Sequence, residues 1–178
     1  HGVHAVRAAL LNTKRAHHEL HVSENNHEFA NNYKSKIKKI TVLDHKEFKK
    51  LYGGEKSTQG IVLKTNDFER PSLQQFVKNE KVEDKSVILA LDQITDPQNI
   101  GSIMRSCALF NCKGIIVAKD NAPDLTPSLY KAASGAAEIV NYFRVTNLKR
   151  SISELKKYGY WAYGFDSSNS CLLYTSPS

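Results

Sequence analysis

The sequence VILAL at residues 87–91, followed by DPQNIGSIMR at residues 96–105, decides the fold of the second half of this chain. The first piece is short, continuous and apolar, which is typical of a buried strand. In the second piece apolar residues recur at helical spacing, so one face of a helix should lie on the sheet that the strand enters. That apolar stripe consists of Ile100, Ile103, Met104, Cys107 and Ala108. Arg105 falls outside the stripe, so we expect its guanidinium to point away from the core.

Residues at both ends of this helix fit predicted bounds of 99–110. Pro97 biases Asp96 toward an extended conformation, so the strand is expected to end cleanly before the helix. Asn99 is suited to accept hydrogen bonds from the first free amide groups of the helix. Asn111 stands where a left-handed residue is needed, and asparagine is the usual second choice after glycine.

A strand, a tight loop and a helix with the small residue Gly101 form a common site for an anion or a nucleotide, at the carboxyl end of a parallel strand. The same pattern is typical of a capped helix with an exposed arginine on a solvated face. On residues 96–105 alone, this second interpretation is favoured and the first stays open.

Strand and helix patterns alternate from residue 86 onward, which indicates a parallel sheet covered by helices on both faces. The predicted strands are 87–92, 114–118, 139–144 and 160–165, and the predicted helices are 99–110, 127–137 and 148–158. Earlier in the chain, the pattern predicts helices at 3–11, 26–36 and 46–51 and strands at 19–22, 40–43 and 60–64. These earlier elements make a small α/β sandwich over residues 1–66. Residues 67–85 are charged and contain Pro71, so they are predicted to be a linker with one short helix near 72–77.

Positive charge is concentrated in the first third of the chain. The formal net charge is +7, and residues 1–66 hold 12 Lys or Arg against six acidic residues. Lys36, Lys38 and Lys39 form one cluster that would attract a phosphate backbone by steering and counterion release. A solvated face that only keeps the protein soluble explains the charge equally well.

Several classes of protein are disfavoured by composition. No apolar run approaches the roughly 18 to 20 residues that span a bilayer, and no hydrophobic signal segment opens the chain, so we expect a cytoplasmic protein. Cys107, Cys112 and Cys171 have no paired or metal-binding spacing and are expected to be free thiols. The seven histidines show no zinc-hydrolase arrangement, so we predict no metal.

Three stretches together resemble the SpoU (TrmH) family of RNA 2′-O-ribose methyltransferases, of the SPOUT superfamily. The family's first motif, Asn-x-Gly-x-x-x-Arg, is matched by Asn99, Gly101 and Arg105, with a family-like lead-in at 91–97. The SGAAE sequence at 134–138 is similar to the family's small-residue helix, and GVHAV at 2–6 to the start of its substrate-binding domain. The resemblance implies an α/β fold, with an L30e-like RNA-binding domain at 1–66 and the first part of a SPOUT (α/β knot) methyltransferase domain at 86–169.

The same resemblance implies a reaction and a set of residues. The family moves a methyl group from S-adenosylmethionine to a ribose 2′-oxygen, and the resemblance assigns the catalytic roles to Arg105 and Asn99. A guanidinium holds its proton because arginine has a pKa above 12, so stabilising the developing alkoxide is easier for it than acting as a base. The residues expected to contact RNA are Gly101, Ser134, Gly135, Glu138, Lys36, Lys38 and Lys39. For Glu138, a solvent-facing or structurally paired carboxylate is the favoured alternative.

Partners follow from the resemblance as well. Family members with an L30e-like domain often modify large-subunit rRNA, so we expect rRNA (at a guanosine) rather than tRNA as substrate, and a homodimer in the intact protein. A non-catalytic RNA-binding protein that uses only the basic first domain is the main alternative. A generic nucleotide-binding α/β protein is a third.

The sequence after Phe165 departs from the family. Two further family motifs, a glycine-rich segment with a glutamate and a later serine–asparagine stretch, form the cofactor pocket by threading a knot, and neither is present here. We therefore expect a fragment with a non-native tail at 170–178 that binds S-adenosylmethionine poorly and is inactive by itself. Its cofactor-binding residues are unknown.

Overall fold

The structure is a computed structural model that describes residues 1–80 and 86–165. Residues 1–66, called the first unit, form a three-stranded sheet flanked by helices. Its elements are α1 (Val3–Leu11), β1 (His17–Ser23), α2 (His27–Asn32), β2 (Lys39–Leu43), α3 (His45–Tyr52), α4 (Glu55–Thr58) and β3 (Ile61–Thr65). The strand order is β2-β1-β3, with β1 parallel to β2 and antiparallel to β3. Val6 and Leu10 of α1 pack on Leu20, Val22 and Ile61 of the sheet, so this predicted α/β layer is confirmed.

The second unit, residues 73–80 and 86–165, contains an all-parallel sheet. Its elements are α5 (Leu73–Asn79), β4 (Ile88–Leu91), α6 (Pro97–Leu109), β5 (Gly114–Ala118), α7 (Pro127–Ala132), β6 (Asn141–Val145) and α8 (Leu148–Lys157). The strand order is β4-β5-β6. Successive strands are joined through α6 and α7, which is how parallel neighbours are connected.

Successive side chains of β5 pack on opposite faces of this sheet, so both faces are covered, as predicted. Ile115 and Val117 pack with α6 and α7, whereas Ile116 packs with Phe143, α5 and α8. Ile115 and Ile116 are completely buried. Burying such a side chain stabilises a fold by about 1.5–3 kcal/mol, so a strand buried on both faces anchors the unit.

Two predicted helices are shorter than expected. The helix predicted at 127–137 ends at Ala132, because Ser134 and Gly135 have φ angles of 49° and 93° that no α-helix accommodates. A 3-10 turn at Ala136–Glu138 follows. The helix predicted at 26–36 breaks at Tyr33, which separates α2 from another 3-10 turn.

The remaining differences concern 160–165 and the connection between the units. Residues 160–165 form no strand, so the strand predicted there was wrong. Within the described residues, β4 pairs with β5 on one side and with no strand on the other. The short helix predicted near 72–77 is present as α5, but it is buried against the second sheet and is not part of a free linker. The predicted tail at 170–178 lies outside the described residues. In the described part of the chain, every helix is too short or too polar to cross a membrane.

Candidate functional site

Arg105 lies on α6, and the start of this helix is set by Asp96 rather than by Asn99. The Asp96 side chain accepts a hydrogen bond from the backbone amide of Gln98 at 2.9 Å, and Pro97 occupies the first helical position. Asp96 is extended, as predicted, but Asn99 lies inside the first turn and does not cap the helix. Asn99 is exposed there.

The apolar stripe of α6 faces the sheet, as its spacing predicted, and this orients the arginine. Ile100 and Met104 are fully buried, and Cys107 is nearly so. Burial raises the pKa of the Cys107 thiol to about 12, with a smaller contribution from Cys112, so this cysteine behaves as an inert apolar group. Arg105 is exposed on another side of the helix, where α7 runs past it.

The guanidinium of Arg105 is held by its own helix and by the end of α7. Its Nη1 donates to the backbone oxygen of Ala132, and its Nη2 donates to Ser102 Oγ at 3.4 Å. An arginine carries five N–H groups in a planar fork, so these two contacts leave donors for a ligand. The side chain is therefore oriented before any ligand binds.

Arg105 opens into a cleft of about 570 Å³ between the two units. The first unit contributes Gly2, His4, Ser57 and Gln59 to its walls, and the second unit contributes Gln98, Arg105, Ser128, Lys131 and Ser134. Lys131 Nζ donates to the backbone oxygen of Ser57 at 2.5 Å and so joins the two walls. The lining is rich in hydrogen-bond donors and positive charge, which suits a ribose and a phosphate.

The structure brings together some of the predicted site residues and separates others. Arg105 and Ser134 line the same cleft, whereas Gly101 is buried and packs against Ala132 of α7. The RNA contacts predicted for Gly135 and Glu138 stay predictions, but Gly135 is buried under α1 and the Glu138 carboxylate is paired with Arg15. A structurally paired carboxylate is one of the two forms of the alternative that the sequence favoured over an RNA contact for Glu138.

The predicted lysine cluster lies on the first unit, outside the cleft. Lys36, Lys38 and Lys39 are exposed between α2 and β2 and at the start of β2. Lys39 Nζ lies 2.7 Å from Glu19 Oε1, so its charge is partly compensated, and an RNA phosphate would have to compete with that carboxylate.

Sequence reasoning missed the residues that join the two units. Arg15 contacts Glu138 and Tyr130, although more than 100 residues separate them along the chain. Burial lowers the pKa of Arg15, but the hydrogen bonds and charges of Glu138 and Tyr130 together raise it by more, so the net pKa is raised. Lys131 lies three residues before Ser134 of the SGAAE stretch, whereas no local pattern indicates that Arg15 meets Glu138.

Metal ligands are not assembled anywhere in residues 1–80 and 86–165: no three His, Cys, Asp or Glu side chains gather as a metal site requires. Cys107 and Cys112 are free thiols, whereas Cys171 lies outside the described part.

Comparison with known proteins gives both units a match. Residues 86–175 match the family model described as the SpoU rRNA Methylase family, and residues 1–71 match the model for RNA 2′-O ribose methyltransferase substrate binding. A 23S rRNA (guanosine-2′-O-)-methyltransferase RlmB from Coxiella burnetii is 33% identical over 172 residues, covering 92% of this chain and 67% of the relative. A Staphylococcus haemolyticus protein, named as a TrmH family tRNA/rRNA methyltransferase, is 37% identical over 112 residues, 62% of this chain. That alignment covers 45% of the relative, so the matched part is less than half the length of that protein.

Solved structures share the fold over most of the chain. The SpoU methyltransferase AviRb from Streptomyces viridochromogenes, in complex with the cofactor AdoMet, has a TM-score of 0.66 at 20% identity, covering 88% of this chain and 58% of that chain. An AdoMet-bound rRNA methyltransferase from Sinorhizobium meliloti has a TM-score of 0.65 at 18% identity, covering 88% and 57%. At these identities the likeness concerns the fold alone.

Proposed function

The chain belongs to the SpoU rRNA methylase family, and from this premise we propose that the protein transfers a methyl group from S-adenosylmethionine to a ribose 2′-hydroxyl of RNA. The observation that carries the proposal is the position of Arg105. It opens into a cleft whose walls come from the unit that matches the RNA substrate-binding model and from the unit that matches the methylase model.

The proposed substrate is large-subunit rRNA, modified at a guanosine. The Coxiella burnetii relative that aligns with 92% of this chain is named for that reaction, which supports rRNA over tRNA. The basic first unit supports an RNA partner, because lysines that neutralise phosphates supply sequence-independent affinity. We place the enzyme in the cytoplasm, where it would meet RNA.

The cofactor supplies a methyl group activated by a positive sulfur, and two structural neighbours are described with AdoMet bound. The cleft residues fit the RNA side of the reaction, because they offer a guanidinium, an ammonium, amides and hydroxyls. We assign none of the described residues to the cofactor.

In this reaction the ribose oxygen must be aligned with the methyl carbon and must lose its proton. A guanidinium is a poor base and a good hydrogen-bond donor, so the role proposed for Arg105 is to hold the 2′-oxygen or the neighbouring phosphate and to stabilise negative charge as it develops. The contact with the Ala132 oxygen fixes the guanidinium beforehand, which removes part of the entropic cost of alignment. Asn99, exposed on the first turn of the same helix, is proposed to help bind the ribose.

The intact protein is proposed to be a homodimer. Leu109 and Phe110, at the end of α6, are 79% and 74% exposed, and large exposed apolar side chains of this kind are typical of a surface that another chain covers.

Replacing Arg105 in the full-length protein tests the proposed activity. Arg105→Ala should reduce methyl transfer to rRNA by roughly 100-fold or more, because a preorganised charge at the reacting oxygen is lost. RNA affinity should change by less than about threefold, since we propose that the lysines of the first unit supply most of the affinity for phosphates. Transfer of labelled methyl groups and filter binding measure the two quantities. Undiminished transfer in the variant would exclude the role of Arg105, and absence of transfer in the wild type would favour the RNA-binding alternative.

A further inference from the structure

The first unit touches the second at the turn of residues 132–138, and Gly135 makes the contact possible. A Cβ atom placed on Gly135 would lie 2.8 Å from the Cβ of Ala8 and 3.3 Å from the backbone oxygen of His4, both in α1. Gly135 also has a φ angle of 93°, which side-chain-bearing residues rarely adopt. Helix α1 therefore packs directly on the backbone of this turn.

A buried ion pair closes the same contact. Arg15 Nε lies 3.0 Å and 2.9 Å from the two carboxylate oxygens of Glu138, and the side chains are 3% and 5% exposed. Asn12 Nδ2 donates to Glu138 Oε2 at 2.7 Å. Arg15 also donates to Tyr130 Oη at 2.9 Å and to the Asn66 backbone oxygen at 2.8 Å. Both charges are thus desolvated and hydrogen-bonded. Removing the charge of Glu138 would leave the buried guanidinium with the exposed carboxylate of Asp67, 3.6 Å away, as its remaining counter-charge.

The segment that connects the units is held in the same place. The centroid of the Phe68 ring lies 4.9 Å from the guanidinium carbon of Arg15 and 4.3 Å from that of Arg70. Arg70 Nη2 donates to the Ala137 backbone oxygen at 2.8 Å and to Tyr130 Oη at 3.1 Å. The connecting segment therefore does not act as a free tether in this arrangement.

The other side of the turn holds Arg105. Ala132, at its start, provides the oxygen that accepts from Arg105 Nη1, and Gly101 of α6 packs against Ala132. The turn at 132–138 thus contacts both α6, which carries Arg105, and α1 of the first unit. A shift of α1 against Gly135 and Glu138 would change the distance from the basic first unit to Arg105.

We propose that Arg15 and Glu138 are positioning residues, which lock the first unit onto the 132–138 turn so that an RNA bound by the first unit presents its target ribose to Arg105. The fixed orientation of the two units, called the lock, is argued from geometry alone. Its effect on methyl transfer rests on the proposed function. Gly135 and Glu138 then serve to dock the two units rather than to contact RNA.

The lock itself is tested on the chain without any activity. Spin labels attached through an unnatural amino acid at Lys50 and Ser153, one exposed position in each unit, leave the native cysteines unchanged. The distance distribution should be narrow in the wild type and should broaden or shift in Glu138→Gln, which keeps the shape of the side chain and removes its charge. Gly135→Ala perturbs the packing of α1 on the turn without changing any charge, and it should likewise broaden or shift the distance distribution. Arg7→Gln, an exposed arginine of α1, and Glu24→Gln are the matched controls and should leave the distribution narrow.

The consequence is tested by steady-state methylation in the full-length protein. Glu138→Gln and Gly135→Ala should lower kcat by roughly 10- to 100-fold, because small misplacements of reacting groups have effects of this size. RNA affinity should change by less than about threefold, because the lysines of the first unit still bind the backbone. A general loss of folding would instead lower activity and affinity together with the melting temperature.

Two outcomes would overturn the proposal. Unchanged distances in both variants would show that the pair does not fix the orientation, and changed distances with unchanged kcat would show that the orientation does not matter for the reaction. If the wild-type protein transfers no methyl group, the proposed function fails while the distance measurement still decides whether the lock exists.

Discussion

Gly101 and Ala132 are so close that a Cβ atom on the glycine would lie 2.5 Å from the Cβ of the alanine. Helices α6 and α7 therefore meet backbone to backbone, beside the oxygen of Ala132 that holds Arg105. The glycine of the Asn-x-Gly-x-x-x-Arg sequence is required by packing, and through this packing it sets where the arginine stands.

Gly101→Ala should destabilise the protein and lower its activity. Alanine gains about 1 kcal/mol in helix propensity, but overpacking at such a contact costs about 1–3 kcal/mol, so a net loss of up to about 2 kcal/mol is expected. The shift of α7 should also displace the Ala132 oxygen from Arg105 and reduce methyl transfer. Urea unfolding and a methylation assay measure the two effects. Gly164→Ala, at a position with nothing within 4 Å of the added Cβ, is the control and should change neither.

Replacing Asp96 by alanine should lower stability, whereas replacing Asn99 should lower activity, because only Asp96 caps α6. Asp96→Ala removes the hydrogen bond to the Gln98 amide and should cost about 1 kcal/mol in unfolding free energy. Asn99→Ala should leave stability within about 0.5 kcal/mol, as exposed substitutions do, and lower methyl transfer. Loss of stability in Asn99→Ala with none in Asp96→Ala would contradict the observed cap.

Most local elements of this fold were predictable because their causes are local. The apolar residues of α6 recur at helical spacing, and those of β5 form a continuous run, so each element could be recognised from its own residues. Strand β5 has the predicted bounds of 114–118. Residues 133–137 were predicted as the end of the helix at 127–137, because alanine-rich sequence favours a helix. The contact of Gly135 with α1 selects a left-handed turn instead.

The candidate site was predictable only in part. Placing Arg105 off the apolar stripe was correct, since it depends on periodicity alone. Its contact with Ala132 and the ion pair of Arg15 with Glu138 join residues 27 and 123 positions apart, and no local pattern encodes which distant groups will meet. The first contact depends on how α6 packs on α7 and the second on how the two units pack, and a single sequence displays neither.

Replacing Lys36, Lys38 and Lys39 together by glutamine should weaken RNA binding and make it less dependent on salt. Each phosphate contact to single-stranded RNA contributes roughly 0.7 to the slope of log affinity against log salt, so the slope should fall by up to about 2. Lys39 should contribute least, because Glu19 already compensates its charge. Filter binding between low and moderate salt measures the slope. The same change at Lys149, Lys156 and Lys157 of α8 removes equal charge, and an equal effect there would show that only net charge matters.

Glu19 should make the stability of the first unit sensitive to acid. Hydrogen bonds from Lys39 and His21, in that order, lower the pKa of Glu19 from 4.5 to about 2, and Thr41 adds a smaller contribution. Because the folded pKa lies below the unfolded one, the stabilisation is fully present above about pH 4.5 and is lost as the pH falls toward 2. The free-energy difference between the wild type and Glu19→Gln, measured by urea unfolding at pH 6, 4.5 and 3, should therefore shrink at the lowest pH. For the exposed control Glu24→Gln this difference should stay small throughout. A difference for Glu19→Gln that is the same at pH 6 and pH 3 would mean that the carboxylate is not held by Lys39 and His21 in solution.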